Sequence, residues 1–147
     1  MNKSIFLKVL CFVILLSTPM LNYASNDIYN MEIKNAMDSM PKKVKTQLGD
    51  FKFYFGKDSK PFEYTKGETI YTSNRSNGVL KSNLKACNWV FYSALIDLKK
   101  QAQAVNGKGV ANIESNWKNN PTNNSKTFVC AEGLIMTGVA LKGNIIR

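Results

Sequence analysis

The chain reads as an α+β protein: an antiparallel sheet of four or five strands, one long helix over about residues 83–105 packed on one face, and one disulfide. Three observations carry this reading. Leu84, Cys87, Phe91, Ala94, Leu98, Ala102 and Val105 follow one another at steps of three or four, the stripe of a helix about six turns long. After Asn106-Gly107 the periodicity changes to two, with Gly109, Ala111, Ile113, Ser115 and Trp117 alternating against Val110, Asn112, Glu114 and Asn116. Phe51–Phe55 and Thr127–Glu132 are further β-prone runs, and Leu134–Leu141 reads as another strand.

Residues 1–24 are set apart from the fold. Lys3 and Lys8 precede the unbroken apolar run Val9–Leu16, which Ser17-Thr18-Pro19 ends, and Ala24 offers a small residue for cleavage. This is the pattern of a secretory signal; the alternative, a retained anchor, is disfavoured because the run is shorter than the roughly 18 residues a spanning helix needs. Cys11 leaves with the signal. Residues 25–147 then form one exported domain in which 18 basic residues face 10 acidic ones, a net charge of +8.

Along that domain, Ile28, Met31 and Ile33 alternate weakly as a short strand, and Ala36, Met37 and Met40 suggest a helical turn stopped by Pro41. Pro41 to Leu48 reads as a second short helix with proline at its first position and Gly49 past its end. Phe51, Phe53 and Phe55 share one face of a strand, with Lys52 and Tyr54 on the other. Glu68–Thr72 is β-prone, and the polar stretch Asn74–Asn83 reads as a loop ending in Ser82 or Asn83 as the helix N-cap. Glycine at 107 is expected to take the left-handed conformation that closes the long helix. Lys118–Lys126 holds four asparagines and a proline with no apolar anchor, and reads as the exposed tip of a long hairpin returning through Thr127.

Cys87 and Cys130 are the cysteines left after the signal. In an exported chain such a pair reads as one disulfide; two separate buried thiols are the alternative.

Absences exclude whole classes of chemistry. With no histidine, the chain cannot build a Ser-His-Asp or Cys-His site and lacks the commonest transition-metal ligand, so no metal and no cofactor is expected. Gly56-Lys57 and Gly107-Lys108 are not phosphate loops, since Asp58 and Gly109 follow them where Ser or Thr is required, and no nucleotide is expected. Carboxylates are scattered; Glu114 and Glu132 are the pair that neighbouring strands could bring together, against the simpler reading of two solvated residues.

Two surface features remain. Lys42, Lys43, Lys45 and Lys52 form the most basic stretch, either an anion-binding patch or a solvated face. Nucleic acid is disfavoured as its partner because the nearest aromatics, Phe51, Phe53 and Phe55, fall on the face expected to be buried. Trp89, Tyr92 and Ile96 flank the main helical stripe, either as a partner-binding strip or as a widening of the core face.

At Phe53-Tyr54-Phe55-Gly56, Cys87-Asn88-Trp89-Val90-Phe91, Ser93-Ala94-Leu95, Val110-Ala111-Asn112-Ile113, Phe128–Gly133 and Val139–Gly143 the chain resembles small exported bacterial proteins often labelled excinuclease ATPase subunit. More distantly, the helix ending in a glycine turn before a Val/Ala/Asn strand is similar to YbjQ-like and Rcs-sensor-like envelope domains. The resemblance implies an exported α+β domain with a Cys87–Cys130 bridge and supplies no catalytic residues; an ATPase subunit would need the phosphate loop that this chain lacks. The expectation is therefore a non-catalytic periplasmic or secreted envelope module, associated with stress sensing and binding an envelope protein. The alternative is a basic module for anionic lipid, lipopolysaccharide or another acidic polymer.

Overall fold

A computed structural model describes residues 27–57, 59, 65–79 and 81–147. The expected signal segment, residues 1–24, lies outside the described residues. Seven strands and three helices follow in the order β1 (Asp27–Glu32), α1 (Ile33–Asp38), α2 (Lys42–Leu48), β2 (Lys52–Phe55), β3 (Lys66–Asn77), α3 (Asn83–Ala104), β4 (Gly109–Trp117), β5 (Asn120–Thr122), β6 (Thr127–Glu132) and β7 (Met136–Ile146). The α+β class, the long helix and the disulfide are as the sequence predicts. The sheet differs: it has seven strands, not four or five, and it is mixed, because β2 pairs with β4 in parallel. Between those two strands the chain runs through β3 and all of α3, which is the long crossover that a parallel neighbour requires.

Strand β7 is the spine. It pairs with β3 from Met136 to Ile146 along one edge. Its other edge is divided, with Leu141 to Ile146 facing β4, and Thr137 and Gly138 facing β6. The sheet therefore forks where β4 leaves β7 and β6 enters. Ser115 spans the fork: its Oγ accepts the Val129 N–H at 2.8 Å, satisfying a buried donor that no neighbouring strand reaches.

Helix α3 lies on one face of this sheet. Ser82 caps it, its Oγ accepting the Lys85 N–H at 3.4 Å. Cys87, Phe91, Ala94, Leu98 and Ala102 of the predicted stripe are buried, together with Val90, Tyr92 and Leu95, whereas Leu84 and Val105 at its two ends are exposed. Phe91 is central, stacked on Phe128 of β6 with ring centroids 4.1 Å apart and 5.9 Å from Phe55 of β2. Phe51, Phe53 and Phe55 pack at the margin of this core and stay partly exposed. Cys87 and Cys130 form the disulfide, Sγ–Sγ 2.02 Å, joining the first turns of α3 to β6.

The helix ends in a Schellman motif. The Asn106 N–H donates to Gln103 O at 3.1 Å and the Gly107 N–H to Ala102 O at 2.7 Å. The left-handed residue is Asn106, at φ 60°, not Gly107 as expected. Glycine is required at 107 for a different reason: a Cβ there would lie 2.6 Å from Ile145 Cγ2, so the close approach of the helix end to β7 demands a bare backbone.

Four further expectations are corrected. Strand β3 extends to Asn77, through residues read as loop. Lys118 and Asn119 both have positive φ and close a tight two-residue hairpin between β4 and β5, so the Asn-rich segment is not the tip of a long β4–β6 hairpin. The alternation of β4 is broken by a bulge at Asn112, φ 52°, which lets Val110 and Ile113 both reach the core. Pro41 sits at the N-cap of α2, one residue before the position expected.

Candidate functional site

Helices α1 and α2 and their joint bury Ile33, Ala36, Met40, Val44 and Leu48 in the same core as α3. Where the α1–α2 joint meets α3, they leave a groove of about 520 Å³ lined by Ser39, Pro41, Lys81, Leu84, Lys85, Asn88, Trp89 and Tyr92. Leu84 and Trp89, half exposed, form its apolar wall. A tryptophan held in the open on a helix otherwise packed over most of its surface is unusual; ordinary core packing turns such a side chain inward.

The groove floor is polar and only partly satisfied. Tyr92 Oη donates to Ala36 O at 2.6 Å, which ties α3 to α1 and buries the ring. Ser39 Oγ donates to Asn35 O at 2.7 Å, so towards Asn88 it can act only as acceptor, and the Asn88 Nδ2 faces it at 3.4 Å. That arrangement fixes the amide orientation. It leaves Asn88 Oδ1, on a residue only 8% exposed, without a hydrogen-bond donor among the described residues. A buried carbonyl with no donor costs about 1–3 kcal/mol.

The rim is cationic. Among the described residues, the only charged side chains lining the groove are Lys81 and Lys85. Lys81 Nζ donates to Asn77 O at 2.9 Å, and Lys85 forms no ion pair among the described residues. Lys42 and Lys43 follow Pro41 directly and are exposed.

Of the sequence-derived strip, Trp89 is exposed at the groove, Tyr92 lines it from a buried position, and Ile96 lies outside it, half-buried against the core. Lys42, Lys43 and Lys45 are exposed on α2, and Lys52 is exposed on the edge strand β2. None of the four forms an ion pair among the described residues. A fifth lysine, Lys99, caps the C-terminus of α2, its Nζ donating to Gln47 O at 2.7 Å and Leu48 O at 3.0 Å.

Glu114 and Glu132 are not brought together. Glu114 bonds Lys142 Nζ at 2.9 Å on the helix-free face. Glu132 lies on the helix side, opposite Asp27 in register, and its carboxyl is held above the ordinary carboxylate range, first by desolvation and second by the Asp27 charge. Among the described residues no group of three His, Cys, Asp or Glu converges, and no helix is long and apolar enough to cross a membrane.

Asn88 is the residue that sequence reasoning missed. An asparagine in mid-helix reads as a solvated position, and nothing at Asn88 itself signals that Ser39, distant in the chain, will enclose it. No protein-family model, curated protein or solved structure matches the chain.

Proposed function

We propose that this protein is a non-catalytic exported module of the bacterial envelope, periplasmic or secreted, and that the α3 groove is its binding site for a segment of another envelope protein. The observation that carries the reading is the buried Asn88 Oδ1, which has no donor among the described residues, beside the exposed Trp89. One polar group placed in an apolar wall fixes a ligand's register, while the wall supplies most of the contact area. An extended peptide fits these features: a backbone N–H for Asn88 Oδ1, an apolar side chain against Trp89 and Leu84, and a carboxylate for Lys81 or Lys85. A sugar is a poorer match, since its many hydroxyls would meet one open acceptor and a largely apolar surface. The Cys87–Cys130 disulfide, stable in oxidising compartments, supports export.

The test is site-specific photocrosslinking from position 89 in intact cells, with position 34 on the exposed face of α1 as control. A discrete protein adduct at 89, absent at 34 and lost when Asn88→Leu is added, supports the reading. An adduct pattern shared by both positions contradicts it.

A second reading, a basic module for lipopolysaccharide or another acidic polymer, is favoured by the exposed lysines at 42, 43, 45 and 52, none of which forms an ion pair among the described residues. It predicts retention on heparin that modest salt abolishes and that neutralising Lys42, Lys43 and Lys45 weakens.

A further inference from the structure

We infer that the helix-free face of the sheet, led by the β6–β7 turn, docks onto an anionic lipid bilayer. This surface is separate from the α3 groove and from the α2 lysines. The turn is closed by a Gly133 N–H bond to Met136 O at 2.8 Å, and it projects Leu134, Ile135 and Met136 together. Leu134 is 100% exposed, Ile135 58% and Met136 42%. Three consecutive apolar side chains in water are costly, and none of the three belongs to the core formed by the described residues.

Behind the turn a cavity of about 660 Å³ runs across the sheet fork. Its floor is Gly138 and Ala140 and one wall is Trp117, whose ring lies so close to Gly138 that a Cβ there would sit 2.5 Å from Trp117 Cη2. Trp117 Nε1 is buried with no acceptor among the described residues. Tyr71 stands exposed at the same cavity, and the exposed Ile28 extends the apolar surface beside Ala131.

Charge selects the occupant. Among the described residues, the only ionised side chains lining this cavity are Arg75 and Lys118, and neither forms an ion pair there. The acidic residues nearest the turn, Glu132 and Asp27, belong to the helix side of the sheet, and Glu114 on this face is held by Lys142. An apolar wedge, aromatic rings beside it and a cationic collar reproduce the order of a bilayer interface: hydrocarbon, interfacial belt, phosphate. A protein partner would call for a broad patch, whereas these apolar side chains are gathered on one tight turn.

The experiment is co-sedimentation of the intact protein with phosphatidylglycerol/phosphatidylethanolamine vesicles and, separately, with phosphatidylcholine vesicles. The variants are Leu134→Asp, Arg75→Ala with Lys118→Ala, and Lys42→Ala with Lys43→Ala and Lys45→Ala; thermal melts confirm that each folds. The expected result is binding to anionic vesicles alone, weakened about tenfold by Leu134→Asp and by the Arg75/Lys118 pair, and unchanged by the α2 triple variant. Equal binding to both vesicle types, no binding to either, insensitivity to Leu134→Asp, or dependence on the α2 lysines instead would overturn the assignment. So would capture of a protein by this face without vesicle binding.

Discussion

Asn88 places its Nδ2 3.4 Å from Ser39 Oγ, and because that hydroxyl already donates to Asn35 O, the other end of the Asn88 amide is left buried without a donor among the described residues. The pair joins α3 to the end of α1 and sets the floor of the groove on which the proposed function rests. A group retained at a cost to stability is a natural place to look for a ligand.

Replacing Asn88 with leucine removes that cost. The variant is expected to be at least as stable as the parent, by up to about 2 kcal/mol in urea denaturation, while losing the position-89 crosslink. A destabilised Asn88→Leu would mean that the amide contributes to folding more than the geometry indicates.

The disulfide should dominate global stability. Cys87 and Cys130 are 43 residues apart in sequence, and closing a loop of this size stabilises by about 4 kcal/mol on the chain-entropy model. Cys87→Ser with Cys130→Ser is therefore expected to lower the unfolding free energy by about that amount. In the intact protein purified after export, a thiol titration without reductant should find neither cysteine reactive.

Glu132 predicts a pH signature. Its carboxyl titrates above the ordinary value of 4.5 because burial, and then Asp27, disfavour the charge in the folded state. Below the ordinary value the group is protonated in both states and carries no penalty. As pH rises through that value and past the raised folded one, the penalty develops in full. Glu132→Gln should thus melt higher than the parent at pH 7 and no higher at pH 3, as read by circular dichroism. The opposite sign would indicate a stabilising carboxylate.

Gly138→Ala tests the sheet fork. The added methyl meets the Trp117 ring at a distance no real contact adopts, so the indole must move. A destabilisation of about 1–3 kcal/mol is expected. In a Trp89→Phe background, the Trp117 emission should shift as the ring is displaced.

The helix and its covalent tie to β6 were legible because their signals are local. A seven-residue apolar stripe has few alternative folds, and two cysteines have one pairing. Strand β3 beyond Thr72 was hidden because it faces polar chemistry on the helix side: Asn74 Nδ2 donates to Asp97 of α3 at 2.6 Å, a partner that periodicity cannot reveal. Strand β5, Asn-Pro-Thr, is a three-residue edge strand in which proline is tolerated, and its composition reads as loop. The parallel β2–β4 pairing depends on where the crossover lands, which no local pattern encodes. At the site, Trp89 was legible as an aromatic beside the main stripe. Asn88 was not, since its meaning arises only when α1 folds over it.

The most direct test of the account is the crosslink from position 89 in intact cells, compared with its Asn88→Leu counterpart. One discrete protein adduct is expected, abolished by the leucine while the fold survives. An adduct that persists undiminished in Asn88→Leu, or no adduct with any protein, would contradict the groove as a binding site.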